Sequence, residues 1–329
     1  MTKAIILAAG FGSRLKPLTD KLPKAMVKVM GLPLVDRTIK VMKDCGIHDI
    51  TLISGYMGNE FEALDVKRIE NSEYSISNMV YSLFCAEELF NDTEDIVISY
   101  GDINYDSSVL KNLINSKGDL VISADTNWES LWSQRMENYS DDVETFKADV
   151  EGRVKDVGGK EKDMTQIKAQ YIGLIKVKKS MQGKVINEYK KLMHKDLEKA
   201  KNMFMTDFLM HLINEKIEIM PSYTSGGWIE VDTLEDYKLY NAKEKNYIET
   251  SCNLLKPVSP QDIINNYFNN KYVEKSRGYI FNDFIQDVQH GDIEDKNLKI
   301  RANMLSRKIE IANMVCNKYD SNGKRVADS

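Results

Sequence analysis

An α/β fold is predicted by three features of the 329-residue sequence. Short apolar runs alternate with stretches of helical period through the first half, the pattern of strands and helices laid down in turn. The first run, Ala4-Ile5-Ile6-Leu7-Ala8-Ala9, passes directly into Gly10-Phe11-Gly12, a glycine turn at the end of a buried strand. Beyond about residue 140 the texture changes to short alternating segments, which predict a small β insertion.

Taken in order, strands are expected at 4–9, 50–54, 96–100 and 120–124, where β-branched and small apolar residues cluster. Helices are expected between them at 33–45, 79–90 and 107–115. Leu34, Ile39, Val41 and Met42 give the first helix its buried stripe. Residues 143–150 and 153–157 alternate around Glu151-Gly152 and read as a hairpin. A strand at 170–177 follows, then helices near 181–193 and 204–214 and a short strand at 217–220. After Gly226-Gly227-Trp228-Ile229-Glu230-Val231-Asp232 comes a helix at 233–244, capped by Asp232 or Thr233.

A hydrophobic share of 42% over this length supports one large domain, residues 1–248, with an appendage, residues 249–329. Ser259-Pro260-Gln261-Asp262 has the form of a helix start, and 296–318 has apolar residues at helical spacing. The appendage is therefore expected to be mainly helical, available to pack on the catalytic domain or on a second subunit as a homo-oligomer contact.

The formal net charge of -5, with both signs interspersed, argues against nonspecific nucleic-acid binding. No apolar run reaches the length of a membrane span, and no secretory leader is expected, since the first residues lead directly into a strand. Cys45, Cys85, Cys252 and Cys316 are too scattered for a zinc site or a disulfide framework, so a cytoplasmic setting is expected. His48, His194, His211 and His290 fall in no motif.

The chemistry is concentrated in MTKAIILAAGFGSRLKPLTDKLPKAMVK. Small residues at a strand end let a flat ring and a phosphate chain approach the backbone, and a glycine turn offers N–H groups to phosphate. Arg14 and Lys24 add fixed positive charge for a triphosphate. The string is not a dinucleotide fingerprint, because Leu15 stands where the third glycine would be, and no G-K-S/T follows to make a P-loop.

The string resembles the signature of the nucleotidyltransferase family that couples sugar phosphates or choline phosphate to a nucleoside triphosphate. That pattern, L-A-A-G-x-G-[ST]-R-L-x-P-L-T followed by P-K-x-[ML], matches at every position. The resemblance implies a three-layer αβα, Rossmann-like mixed sheet, the nucleotidyltransferase fold. It implies a nucleotide site of Leu7, Ala8, Ala9, Gly10, Gly12, Ser13, Arg14 and Gly101. Arg14 would brace the β- and γ-phosphates, and Lys24 would contact phosphate at the reacting centre. Asp102, after the apolar run 96–101, and Asp232, at the end of 228–232, would hold Mg²⁺; Glu230 shares the face of Asp232 and competes with it. Lys24, Arg14 and Asp102 are the expected catalytic set.

Further stretches are similar to the choline-phosphate and phosphonate cytidylyltransferase branch. Ser75–Leu83 is similar to S-x-N-N-x-Y-S-L, although Met79 replaces the second asparagine. Asn78 and Ser82, four apart, would read a pyrimidine edge; helix capping by Ser77 or Asn78 is the alternative. Asp125–Arg135 is similar to D-x-x-W-x-x-L-W-x-x-R, and Lys160 and Gln170–Leu174 match further branch elements. Lys160, Trp132, Tyr171 and Trp228 are candidates for the acceptor pocket, with core packing the alternative for Trp128 and Trp132.

The implied activity is Mg²⁺-dependent transfer of CMP from CTP to a small phosphate or phosphonate, such as phosphocholine or 2-aminoethylphosphonate, with release of pyrophosphate. Surface-polysaccharide or phosphonate biosynthesis is the implied setting. The alternatives are a sugar-1-phosphate enzyme using UTP or dTTP, and a nucleotide-binding module without catalysis.

Overall fold

The computed structural model describes residues 2–242 apart from 137, 141 and 162. The expected helical appendage at 249–329 lies outside the described residues. The chain opens with β1 (Thr2–Ala8), then β2 (Lys28–Val29), β3 (Leu32–Pro33), α1 (Leu34–Asp44), β4 (Ile50–Ser54) and β5 (Lys67–Glu70). Next come α2 (Met79–Phe84), β6 (Asp95–Tyr100), β7 (Ile103–Tyr105), α3 (Ser107–Asn115), β8 (Leu120–Asp125) and α4 (Trp128–Arg135). The hairpin β9 (Phe146–Ala148) and β10 (Val154–Val157) precedes β11 (Gln170–Val177), α5 (Lys179–Lys195), α6 (Leu197–Lys201) and α7 (Met205–Asn214). β12 (Met220–Thr224), β13 (Trp228–Glu230) and a helix over 234–242, α8, complete the described chain.

Seven strands form one sheet in the order β12-β8-β11-β6-β1-β4-β5. All neighbours run parallel except β11, which is antiparallel to both β6 and β8. Alternation along β1 divides the core. Ile5 and Leu7 face α2, α5 and α7 through Val80, Leu83, Val185 and Phe208. Ala4, Ile6 and Ala8 face α1, α3 and α4 through Val35, Met42, Leu113 and Trp132. The result is the expected three-layer αβα arrangement, with β9 and β10 standing apart from the main sheet as the insertion.

Three elements depart from expectation. The strand expected at 217–220 starts at Met220 instead. Lys216 ends α7 in the left-handed region, and the Ile217 N–H donates to the Leu212 carbonyl, so Ile217 serves as a helix stop. The helix expected to reach 90 stops at Phe84, with a single 3₁₀ turn at Glu87–Leu89. β5 escapes sequence reading because Lys67, Arg68 and Glu70 are exposed on an edge strand, where charge is tolerated and no alternation is required. Among the described residues no helix is long and apolar enough to cross a membrane.

Candidate active site

The carboxyl ends of β1 and β6 open into a cavity of about 280 Å³. Its position, beyond the strand ends of an α/β sheet, is where ligands bind such sheets. Two glycines make the approach possible. Gly12 adopts φ +62, and a side chain there would meet Lys24 Cβ at 2.7 Å. Gly101 lies so close to β1 that a Cβ would come 2.6 Å from the Leu7 carbonyl oxygen.

Each charged residue arrives on its own support. Leu15, fully buried, anchors the turn that carries Arg14. Lys24 begins a 3₁₀ turn directly after Pro23. Asp102 follows β6, and its carbonyl accepts from the Val231 N–H at 3.0 Å, tying it to the strand that delivers Asp232. β13 pairs with β7 in register, Glu230 opposite Ile103.

These supports bring the four groups together. The Lys24 ammonium donates to Asp102 Oδ2 at 2.6 Å and to Asp232 Oδ1 at 2.7 Å. The Arg14 guanidinium reaches Asp232 Oδ2 at 2.5 Å while most of its side chain stays exposed. Burial disfavours the Lys24 charge, but the attraction of Asp102 and Asp232 outweighs it and raises its pKa above the ordinary lysine range. Lys24 is therefore a permanent cation at any working pH.

Leu7, Ala8, Ala9, Gly10, Gly12, Ser13, Arg14, Asn78, Ser82 and Gly101, all expected from the sequence at a nucleotide site, line this one cavity with Lys24, Asp102 and Asp232. Asn78 also caps α2, its Oδ1 accepting from the Met79 N–H at 2.8 Å. The Ser82 hydroxyl donates to the Asn78 carbonyl and accepts from Asn71 Nδ2, so its hydrogen-bonding capacity is largely committed. Tyr74, Ser77, Met79 and Tyr100 also line the cavity and were not assigned to the site from the sequence. Ser77, Met79 and Tyr100 adjoin residues that were. Tyr74 carries no local signal; its ring meets Phe11 at 5.3 Å because the chain turns back after β5.

Glu230, the rival of Asp232, is held elsewhere. It accepts from Arg135 at 2.7 Å. Burial raises its pKa, Arg135 opposes this, and the nearby negative charge of Asp102 and Asp232 adds to the rise.

The acceptor candidates are not on this cavity. Trp132 is a core residue, in line with its packing alternative, and Trp228, expected to wall the acceptor pocket, is buried in the core as well. Their rings meet at 5.9 Å, and their indole N–H groups donate to Asp142 and Asp125 at 2.8 Å each. With faces packed and N–H groups satisfied, neither ring presents a surface to a ligand. Tyr171 is part of the core behind Tyr100, edge-on at 5.9 Å. Lys160 is exposed, beyond the Gly158-Gly159 turn. His211, unassigned from sequence, pairs with Glu188 at 3.2 Å, a carboxylate already neutralised by Lys191.

The donor set suits a hard divalent cation. Asp102 and Asp232 offer carboxylate oxygens, and Asp102 Oδ1 is buried without a hydrogen-bond partner, an orphan acceptor of the kind a metal ion satisfies.

Comparison with known proteins agrees with this geometry. The MobA-like NTP transferase domain matches residues 4–152. CTP:phosphoglutamine cytidylyltransferase of Campylobacter jejuni is 37% identical over 248 residues, 72% of this chain and 98% of that protein. Choline-phosphate cytidylyltransferase of Streptococcus pneumoniae is 30% identical over 175 residues, 42% of this chain and 75% of that one. The same fold is seen in the solved structure of CTP:phosphocholine cytidylyltransferase from Streptococcus pneumoniae, with TM-score 0.57 and 23% identity over 74% of this chain and 98% of that one. It is seen also in the inositol-1-phosphate CTP transferase of T. maritima, with TM-score 0.57 and 20% identity over 74% of this chain and 96% of that one. The chain belongs to the nucleotidyltransferase family, in its cytidylyltransferase-like branch.

Proposed function

We propose that the enzyme transfers CMP from CTP to a small phosphorylated acceptor and releases pyrophosphate. The observation that supports this most is the convergence of Lys24, Arg14, Asp102 and Asp232 at one end of a cavity walled by small strand-end residues. An acceptor oxygen forms the new bond to the α-phosphorus, the bond to the bridging oxygen breaks, and pyrophosphate leaves with that electron pair. Such a reaction needs positioned charge more than covalent help. Lys24 supplies a cation to the transferring phosphoryl group, and Arg14, at the mouth, supplies one to the departing phosphates. Mg²⁺ would be held by Asp102 and Asp232 and would neutralise phosphate charge there.

For the acceptor we favour phosphoglutamine, because the relative named for it is matched along nearly its whole length. Phosphocholine and 2-aminoethylphosphonate, the substrates named for shorter matches, come next. Pyrophosphate release measured with each NTP against these acceptors and hexose 1-phosphates tests the reading. Release with CTP and one of the three supports it; release only with UTP or dTTP and a sugar phosphate overturns it.

Lys160 is our candidate for the acceptor phosphate. Lys160→Ala is expected to raise the acceptor KM about tenfold and leave the CTP KM unchanged, the loss of one charge-assisted contact. An unchanged acceptor KM in steady-state assays removes Lys160 from the site.

A further inference from the structure

The stretch 125–135, singled out in the sequence as a mark of the branch, is absorbed neither by the cavity nor by an acceptor site. It grips the segment that carries Asp232 at two points. At one end Asp125, fully buried, accepts from the Gly226 N–H and from Trp228 Nε1, both at 2.8 Å. At the other end lies Arg135, whose side chain has 0% exposure. Its Nε and one terminal nitrogen donate to the two oxygens of Asp236 at 2.8 and 3.1 Å. Its other terminal nitrogen donates to Glu230 at 2.7 Å. Its guanidinium also lies over the Trp132 ring, 5.4 Å from the centroid.

Asp236 carries this hold to the site. Its Oδ2 accepts from the backbone N–H groups of Asp232 and Thr233, both at 2.9 Å. Arg135 is thus one residue removed from the backbone of Asp232. The segment begins with Gly226 and Gly227, at φ +74 and +78, which contribute no side-chain packing of their own. A fully desolvated guanidinium with two carboxylate partners fixes geometry sharply, because its planar fork admits few arrangements.

We propose that Arg135 is a positioning residue: by locking Asp236 it fixes where the Asp232 carboxylate meets Lys24 and Arg14. The inference rests on the reading of those groups as the site of CMP transfer. It gives a role to an arginine three residues beyond a core tryptophan, in a stretch that does not line the cavity.

Arg135→Lys tests it, since lysine keeps the charge and loses the fork. The variant is expected to fold, with a melt above the assay temperature. Its kcat should fall about tenfold or more with the CTP KM within about twofold, as a small misplacement of a reacting group does. Amide hydrogen exchange should accelerate in 226–236 and not in 10–24. Should the lysine variant melt below the assay temperature, Asp236→Asn, of the same shape, carries the same expectations. Turnover within twofold of wild type overturns the inference, as does lost turnover with unchanged exchange in 226–236. A wild-type chain that transfers no CMP to any acceptor instead removes the reading of the site, and this inference with it.

Discussion

Lys24→Met is expected to lower turnover by about a thousandfold, the upper range for removing one preorganised charge from a transferring group. Initial rates of pyrophosphate release, with CTP and acceptor both saturating, are the measurement. A loss below about tenfold would show that Lys24 serves the fold and not the reaction. The substitution also has a cost to stability. Lys24 neutralises both Asp102 and Asp232, and its removal takes from Asp102 its cation partner among the described residues while Asp232 keeps Arg14. Stranding a largely buried carboxylate in this way destabilises by about 3 kcal/mol. Mg²⁺ is then expected to raise the melting temperature of the variant more than that of the wild type, because the freed carboxylates would be its ligands under the proposed reading. Equal shifts in a thermal melt would argue against metal binding at this pair.

Gly173→Ala is expected to destabilise the enzyme by about 3 kcal/mol, from left-handed strain and overpacking together. Gly173 has φ +82, and an added Cβ would stand 2.6 Å from Tyr100 Cδ2 and 2.8 Å from its Cγ. The register between β11 and β8 shifts between Tyr171 and Ile175, which is the irregularity Gly173 occupies. Scanning calorimetry should show a melting temperature lower by roughly 6–12 °C, if this domain follows the usual scaling for its size. A drop under about 2 °C would mean that Tyr100 yields without resistance. Because Tyr100 lines the cavity, such yielding would still change CTP affinity.

The sequence revealed the site where its chemistry is local. Gly10 to Lys24 is one string, Asp102 ends one apolar run, and Asp232 ends another. Choosing Asp232 over Glu230 rested on the resemblance alone; in the structure Arg135 pairs with Glu230, while Asp232 meets Lys24 and Arg14. That pairing spans 95 residues, and the one with Asp236 spans 101, beyond the reach of any periodicity. Trp132 and Trp228 were candidates for a ligand pocket because an aromatic face looks the same in sequence whether it meets a ligand or another ring. Strands inside the sheet, such as Ile50–Ser54, were legible because both of their faces are buried. β5, charged and at the edge, was not.

The strand order has a consequence for how the enzyme is made. Among the described residues β8 pairs only with β11 and β12, so it has no partner there until residues 170–177 follow it. β6, though joined to β1, also presents a bare edge until β11 arrives. The stretch matched by the MobA-like domain, residues 4–152, therefore contains the Gly10 to Lys24 string and Asp102 but cannot close its own sheet. During synthesis it emerges with both edges of β8 and one edge of β6 bare, the condition that favours pairing with the wrong chain. The single reversed strand that makes the sheet mixed also sets the earliest moment at which the nascent protein can become a folded one.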